Sequence, residues 1–160
     1  MAIEQQTAKV TTPSEREIHV ERIFDAPREL VFATITDPEL IPEWWGPHDT
    51  TTVVEQMEPR AGGLWRFSTE DCDGNKTAFR GVYREVSPPH RLVQTFEWEG
   101  MPGHVAVETS TFEDLGERTR LVNVTVFHTA EERDGMLQSG MERGMNETFE
   151  RFDALLASRR

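Results

Sequence analysis

The chain holds one cysteine, Cys72, set in the polar run Asp71-Cys72-Asp73-Gly74-Asn75. A single thiol excludes an internal disulfide and fits a reducing compartment. Long apolar runs are also missing. Nothing approaches the roughly 18 to 20 consecutive apolar residues that cross a bilayer, and residues 1–14 lack the apolar core of a secretory signal. The expectation is no membrane insertion and a cytoplasmic location. Positive charge is scarce, with 17 Lys and Arg against 29 Asp and Glu, a net charge of -12, and no basic run before Arg159-Arg160. A surface of that sign repels phosphate backbones and anionic lipids, which argues against nucleic acid as a partner.

Catalytic signatures are equally thin. His19, His48, His90, His104 and His128 stand far apart without metal-ligand spacing, so neither a metal nor a cofactor is expected. No Gly-x-Ser-x-Gly elbow occurs, and Cys72 has no base near it in sequence. Gly62-Gly63 is not followed by Gly-Lys-Ser/Thr and reads as a tight turn before a strand. Strand–helix–strand alternation is absent, which excludes a doubly wound sheet.

What is present is enough for one core. The 160 residues are 36% hydrophobic and 29% charged, values of a folded globular chain. Residues 1–14 read as a loose tail and 15–158 as a single domain. Ile18 and Val20 alternate with polar neighbours, as in a half-buried strand. Asp25 is placed to cap a short helix with Pro27 in its first turn and Leu30, Val31 and Ile35 on one side. A second brief helical piece lies between Pro38 and Pro47 and ends in Trp44-Trp45, one of which is expected to line an opening.

From Thr51 to His128 the pattern is β throughout. Turn signals at Pro59-Arg60-Ala61-Gly62-Gly63, Asp73-Gly74-Asn75, Ser87-Pro88-Pro89, Gly100-Met101-Pro102-Gly103 and Asp114-Leu115-Gly116-Glu117 separate six strands of an antiparallel meander. A final helix over 129–158 opens with a Thr129-x-x-Glu132 capping box, and places Leu137, Met141, Gly144, Met145, Thr148, Phe152 and Leu155 on one stripe with Phe149 at its edge. The expected architecture is α+β, a curved antiparallel sheet of six or seven strands around a long C-terminal helix, with two short helices after the first strand.

The aromatic residues of the middle strands keep one parity: Trp65 with Phe67, Phe79 with Tyr83, Phe96 with Trp98. Arg66, Arg80, Arg84, Thr95 and Glu97 take the other, so the aromatic face is the inner one, and Val105, Val107, Val122, Val124 and Val126 are read as its continuation. This face against the helix is either a solid core or a pocket. Gly140 and Gly144 within the helix, each costing roughly 0.8 to 1 kcal/mol against Ala, and the adaptable Met136, Met141 and Met145 favour a pocket. Its candidate lining is Trp44, Trp45, Phe67, Phe79, Phe96, Trp98, Met141, Met145 and Phe149, with Tyr83, Gln94 and Thr148 as its polar groups. Glu97 and Glu99 face outward on this reading, so no carboxylate is assigned to the pocket and no catalytic residue is named.

These residues resemble a family. Asp25-Ala26-Pro27, Thr36-Asp37-Pro38-Glu39-Leu40, Trp44-Trp45-Gly46-Pro47, Gly62-Gly63-x-Trp65-Arg66-Phe67, the run from Gly81 to Val93, and Glu131-Glu132-Arg133-Asp134 leading to Ser139-Gly140-Met141 follow in an order and spacing similar to bacterial proteins like the activator of Hsp90 ATPase, over about Glu15 to Leu156. That group lies in the START-like (SRPBCC, Bet v 1-like) superfamily with polyketide cyclases and lipid-transfer domains. The resemblance implies a helix-grip fold with a cavity for apolar or amphipathic small molecules, and no reaction. Binding of such a ligand is the leading expectation. A polyketide cyclase- or dehydratase-like enzyme and a cofactor of an Hsp90-type chaperone stand as alternatives. A homodimer through an exposed sheet edge is compatible with the sequence, though no residue requires it.

Overall fold

Helix and strand boundaries follow the punctuation read above. The computed structural model describes residues 7–160, and residues 1–6 of the tail expected over 1–14 lie outside them. Its elements in chain order are β1 (Lys9–Thr11), β2 (Glu17–Phe24), α1 (Arg28–Ile35), α2 (Ile41–Trp44), β3 (Thr50–Met57), β4 (Leu64–Asp71), β5 (Lys76–Ser87), β6 (Arg91–Trp98), β7 (Val105–Asp114), β8 (Thr119–Val126), α3 (Ala130–Gln138) and α4 (Met141–Arg159). The strands form one antiparallel sheet in the order β1-β2-β8-β7-β6-β5-β4-β3. Strands β3 to β8 are the expected meander. The chain reaches its far edge from β2 through α1 and α2 across one end of the sheet.

Eight strands replace the six or seven expected. The additional one is β1, which lies in the segment read as a tail and pairs Val10 with Val20 at the sheet edge. Three residues are too few to show a period, which is why alternation did not reveal it. Register shifts between Val54 and Gln56 and between Tyr83 and Glu85 bend their strands, as bulges do, and curl the sheet toward the helix.

Two helix ends differ from expectation. Asp25 does not cap α1: the extended Pro27 occupies that position, its carbonyl accepting from the Leu30 and Val31 amides at 3.0 Å, while Asp25 pairs with Arg160 at 3.3 Å. The C-terminal helix is not continuous. Gly140, with φ +84°, ends α3 and begins α4, a backbone state that glycine adopts without the steric cost a β-carbon brings. Gly140 is therefore a hinge between two helices rather than a weak point inside one. Gly144 stays within α4, where a β-carbon would meet Pro47 Cγ at an ordinary 3.5 Å, so crowding does not require glycine there. The Thr129 cap is present, its hydroxyl accepting from the Glu132 amide at 3.1 Å, but the Glu132 carboxylate turns to His104 Nδ1 at 2.8 Å rather than back to the cap.

Helix α4 is held against the sheet by a two-pronged ion pair. Arg22 on β2 is 2% exposed, and its Nη1 and Nη2 donate to Asp153 Oδ1 and Oδ2 at 2.8 and 2.7 Å. Its guanidinium lies over the Phe24 and Phe149 rings, 5.0 and 5.5 Å from their centroids. Asp153→Ala would leave an enclosed guanidinium without its carboxylate, a loss worth about 3 kcal/mol. Urea denaturation is expected to show that drop, and the double replacement Arg22→Leu with Asp153→Leu to recover most of it.

Candidate functional site

Four aromatic rings on the inner face of β4, β5 and β6 close a cycle of five with Trp45 at the end of α2. Trp45 meets Phe67 and Phe79 at centroid distances of 5.2 and 5.4 Å. Phe67 meets Trp65 at 4.9 Å, Trp65 meets Phe96 at 6.0 Å, and Phe96 stacks on Phe79 at 5.3 Å. The cycle exists because paired residues share a face: Phe67 lies opposite Phe79, and Trp65 opposite Gly81. Gly81 is required there, since a β-carbon would collide with the Thr95 carbonyl oxygen, to which Trp65 Nε1 donates at 3.2 Å. A second group joins the helix to the sheet, with Phe152 against Trp44 at 4.8 Å and Phe24 at 5.1 Å, and Phe149 against Phe24 at 5.4 Å.

Of the adjacent tryptophans, Trp44 enters the core and Trp45 stays half-buried at its margin. Trp98 keeps inward parity, opposite Phe79, but ends its strand and is 43% exposed, so it stands at the rim. Met141, Met145 and Phe149 on α4 pack against a small buried cluster of Ile18, Val20, Ala106 and Phe127. Thr148 does not offer its hydroxyl to an interior space, because Oγ1 donates to the Gly144 carbonyl of its own helix at 2.9 Å.

Strands β7 and β8 reverse the expected parity. The valines read as inward point away, Val105 being 39% exposed, and the inward set is Ala106, Glu108, Ser110 and Phe112 on β7 with Leu121, Asn123, Thr125 and Phe127 on the β8 side. Valine suits either face of a strand because its branched β-carbon fits the pleat regardless of burial. The larger Phe112, Leu121 and Phe127, buried to 6% exposure or less, decide the matter.

This reversal brings in the carboxylate that sequence parity did not find. Glu108 lies opposite Gln94 on one side and Thr125 on the other. Tyr83 pairs with Gln94, and Ile18 with Thr125, so one row across five strands reads Tyr83, Gln94, Glu108, Thr125, Ile18. The neighbouring row adds Ser110 and Asn123, where Asn123 Nδ2 donates to Ser110 Oγ at 2.9 Å and Thr125 Oγ1 donates to Asn123 Oδ1 at 3.1 Å. Among the described residues no hydrogen bond or ion pair reaches the Glu108 carboxyl, and burial alone pushes it from 4.5 up to about 7. Burial also raises the Tyr83 phenol, so it stays neutral at physiological pH.

The polar rows separate two apolar clusters, one built on Phe24, Trp44, Trp65, Phe112 and Phe152, the other on Ile18, Val20, Ala106 and Phe127, with Phe149 touching both. Gln94, Glu108, Ser110 and Asn123 remain partly accessible although they sit on the inner face of middle strands. Glu97 and Glu99 face outward as expected, paired with Arg80 and Arg66. A shallow recess of about 300 Å³ on the outer side of the sheet, edged by Val53, Glu55, Arg66 and Ser68, is separate from this interior site. Among the described residues no group of three His, Cys, Asp or Glu side chains is placed to hold a metal ion, and no helix is long and apolar enough to cross a membrane.

The family model described as Activator of Hsp90 ATPase homolog 1-like protein matches residues 25–157. A search of curated proteins gives no match. Among solved structures, a protein of Rhodobacter sphaeroides is similar with 26% identity and a TM-score of 0.88, covering 94% of this chain and 99% of its own. One from Arthrobacter aurescens has 28% identity and a TM-score of 0.85, covering 94% and 91%. A Silicibacter pomeroyi protein whose name carries the same family designation shares the fold at 21% identity and a TM-score of 0.73, covering 90% and 99%.

The raised pKa of Glu108 makes stability depend on pH. A carboxyl whose folded value lies above its unfolded one favours the folded state fully below about pH 4.5 and loses that advantage as pH rises through about 7. Glu108→Gln is therefore expected to stabilise the protein at pH 8 by up to about 3 kcal/mol, with the difference vanishing near pH 4.5. Denaturant titrations of both proteins across this range measure it.

Proposed function

The chain belongs to the activator of Hsp90 ATPase homolog 1-like family, and we propose that it binds an apolar or amphipathic small molecule between the inner face of the sheet and α4. The observation that carries this reading is the accessible polar row of Gln94, Glu108, Ser110 and Asn123, enclosed between two apolar clusters. A solid core has no use for such a row, because an enclosed carboxyl without a partner costs several kcal/mol, whereas apolar walls around a few convergent polar groups are what a small-molecule site needs. Trp45, Phe67, Phe79 and Phe96 with Trp65 form one wall, Met141, Met145 and Phe149 the helix side, and Tyr83 and Gln94 flank the polar centre. Trp44 supports the wall from the core, and Trp98 marks the rim.

Glu108 also supports a second reading. It is the inward titratable group that a cyclase- or dehydratase-like enzyme requires, with a carboxyl near 7 suited to proton transfer at neutral pH. Binding comes first in either case.

Native mass spectrometry of freshly purified protein, followed by a thermal-shift screen of lipids, flavonoids and polyketide-like aromatics, tests the binding reading. The expected result is a bound species or a melting temperature that rises with ligand concentration. In protein carrying 13C-methyl methionine, the same ligand is expected to move the Met141 and Met145 signals and to leave exposed Met101 unchanged. Flat melting curves with no shift at Met141 or Met145 would mean a filled core.

A further inference from the structure

The charge around the polar row narrows what it can hold. Glu108 faces Gln94 across one strand pair and Thr125 across the other, and neither carries charge. Ser110, Asn123 and Thr125 bond to one another. The inward residues of α4 on this side are Met141, Met145 and Phe149. Among the described residues, Arg22 and Asp153 form the two-pronged pair at 2.7 and 2.8 Å, Arg28 donates to the Phe112 carbonyl at 3.4 Å at the end of β7, and burial keeps Tyr83 neutral. His104 lies just before β7 at the surface, bonded to Glu132. Among the described residues, this row therefore presents one carboxylate, with no hydrogen bond or ion pair from a cationic side chain to it.

Aromatic faces lie within reach of that carboxylate. Phe96 is opposite Ala106, one inward position along the strands from the Gln94–Glu108 pair, a diagonal that aromatic side chains span. The same inner face already seats one organic cation on rings, the Arg22 guanidinium over Phe24 and Phe149.

We propose that the site accepts an amphipathic amine, its ammonium set against the Glu108 carboxylate and its apolar body laid along Phe96 and the aromatic cycle. The inference rests on the pocket reading above and adds the charge of the ligand. An acidic ligand would place a second negative charge beside Glu108. A neutral ligand would leave the carboxylate enclosed without a counter-charge, and an ammonium removes that penalty. Because burial raises the Glu108 carboxyl to about 7, binding of a cation at neutral pH releases a proton from the fraction of this carboxyl that still carries one.

Isothermal titration calorimetry with 1-naphthylmethylamine and its neutral counterpart 1-naphthylmethanol tests the proposal, at pH 5.5 and pH 8, with the same salt, on the full chain. The amine is expected to bind at least tenfold tighter than the alcohol at pH 8 and to lose most of that preference at pH 5.5, where Glu108 keeps its proton. At pH 7, heats in buffers of different ionisation enthalpy are expected to report proton release for the amine and none for the alcohol. Glu108→Gln is expected to lower amine affinity at least tenfold at pH 8 while changing that of the alcohol less than twofold. Equal binding of the two compounds, or an amine preference that survives Glu108→Gln, would overturn the amine assignment and leave the pocket standing. Failure of both compounds to bind at millimolar concentration, with the Met141 and Met145 methyl signals unmoved, would overturn pocket and assignment together.

Discussion

The Arg22–Asp153 pair fixes the relation on which the rest of the fold depends, the seat of α4 in the curl of the sheet. Hydrophobic contact alone is non-directional and would let an amphipathic helix roll or slide. A fork of two short charge-assisted bonds between a planar guanidinium and a carboxylate sets both rotation and depth. With Asp153 pinned, Phe149 and Phe152 fall on Phe24, and Met145 and Met141 follow one and two turns nearer the helix start. The hinge at Gly140 then frees α3 from the direction of α4, so that the short helix can close over Ile18 and Phe127 without tilting the long one.

That arrangement creates two apolar clusters instead of one. The first gathers α1, α2 and the C-terminal half of α4 onto Phe24, Trp65, Phe67, Tyr83, Leu92, Phe112 and Leu121 of the sheet. The other gathers where α3 and the start of α4 meet β2, β7 and β8. Between them, the inward positions of β7 and β8 are Glu108, Ser110, Asn123 and Thr125 rather than bulky apolar side chains. Replacing that set with leucine and valine would remove an enclosed carboxyl from the core and make the protein more stable. Their presence is a local conflict with good packing of the kind that marks functional sites.

Most of the architecture was legible because strong signals mark it: paired turn residues between strands, Thr129 at a helix start, and tryptophan and phenylalanine holding one parity through β4, β5 and β6. Legibility failed where the signal was either short or indifferent to burial. Strand β1 is too brief to display alternation. Gly140 inside a continuous amphipathic stripe has the same spacing whether the helix breaks or not, and only its left-handed backbone shows the break. Asp25 has the chemistry of a cap, but Pro27 carries the geometry. In β7 and β8, valine at every second position resembles a buried face, while Phe112 and Leu121 mark the true one. Giving those two larger residues more weight than five valines would have turned Glu108 inward and exposed the site's one carboxyl.

The division between what holds the fold and what faces the interior has a consequence for the chemistry that such a chain can host. The aromatic cycle, the Trp44–Phe152 contact and the Arg22–Asp153 fork make their contacts without Glu108, and the bonds among Ser110, Asn123 and Thr125 do not include it. A residue so detached from the packing can change charge, length or hydrogen-bonding capacity without altering the walls, which is the usual separation between a scaffold and the site grafted on it. The pairing of Gln94, Glu108 and Thr125 is set by backbone register, so position 108 takes the inward face whatever side chain it carries. In this protein that group is a carboxyl that burial raises to about 7, which makes position 108 the titratable point of the row.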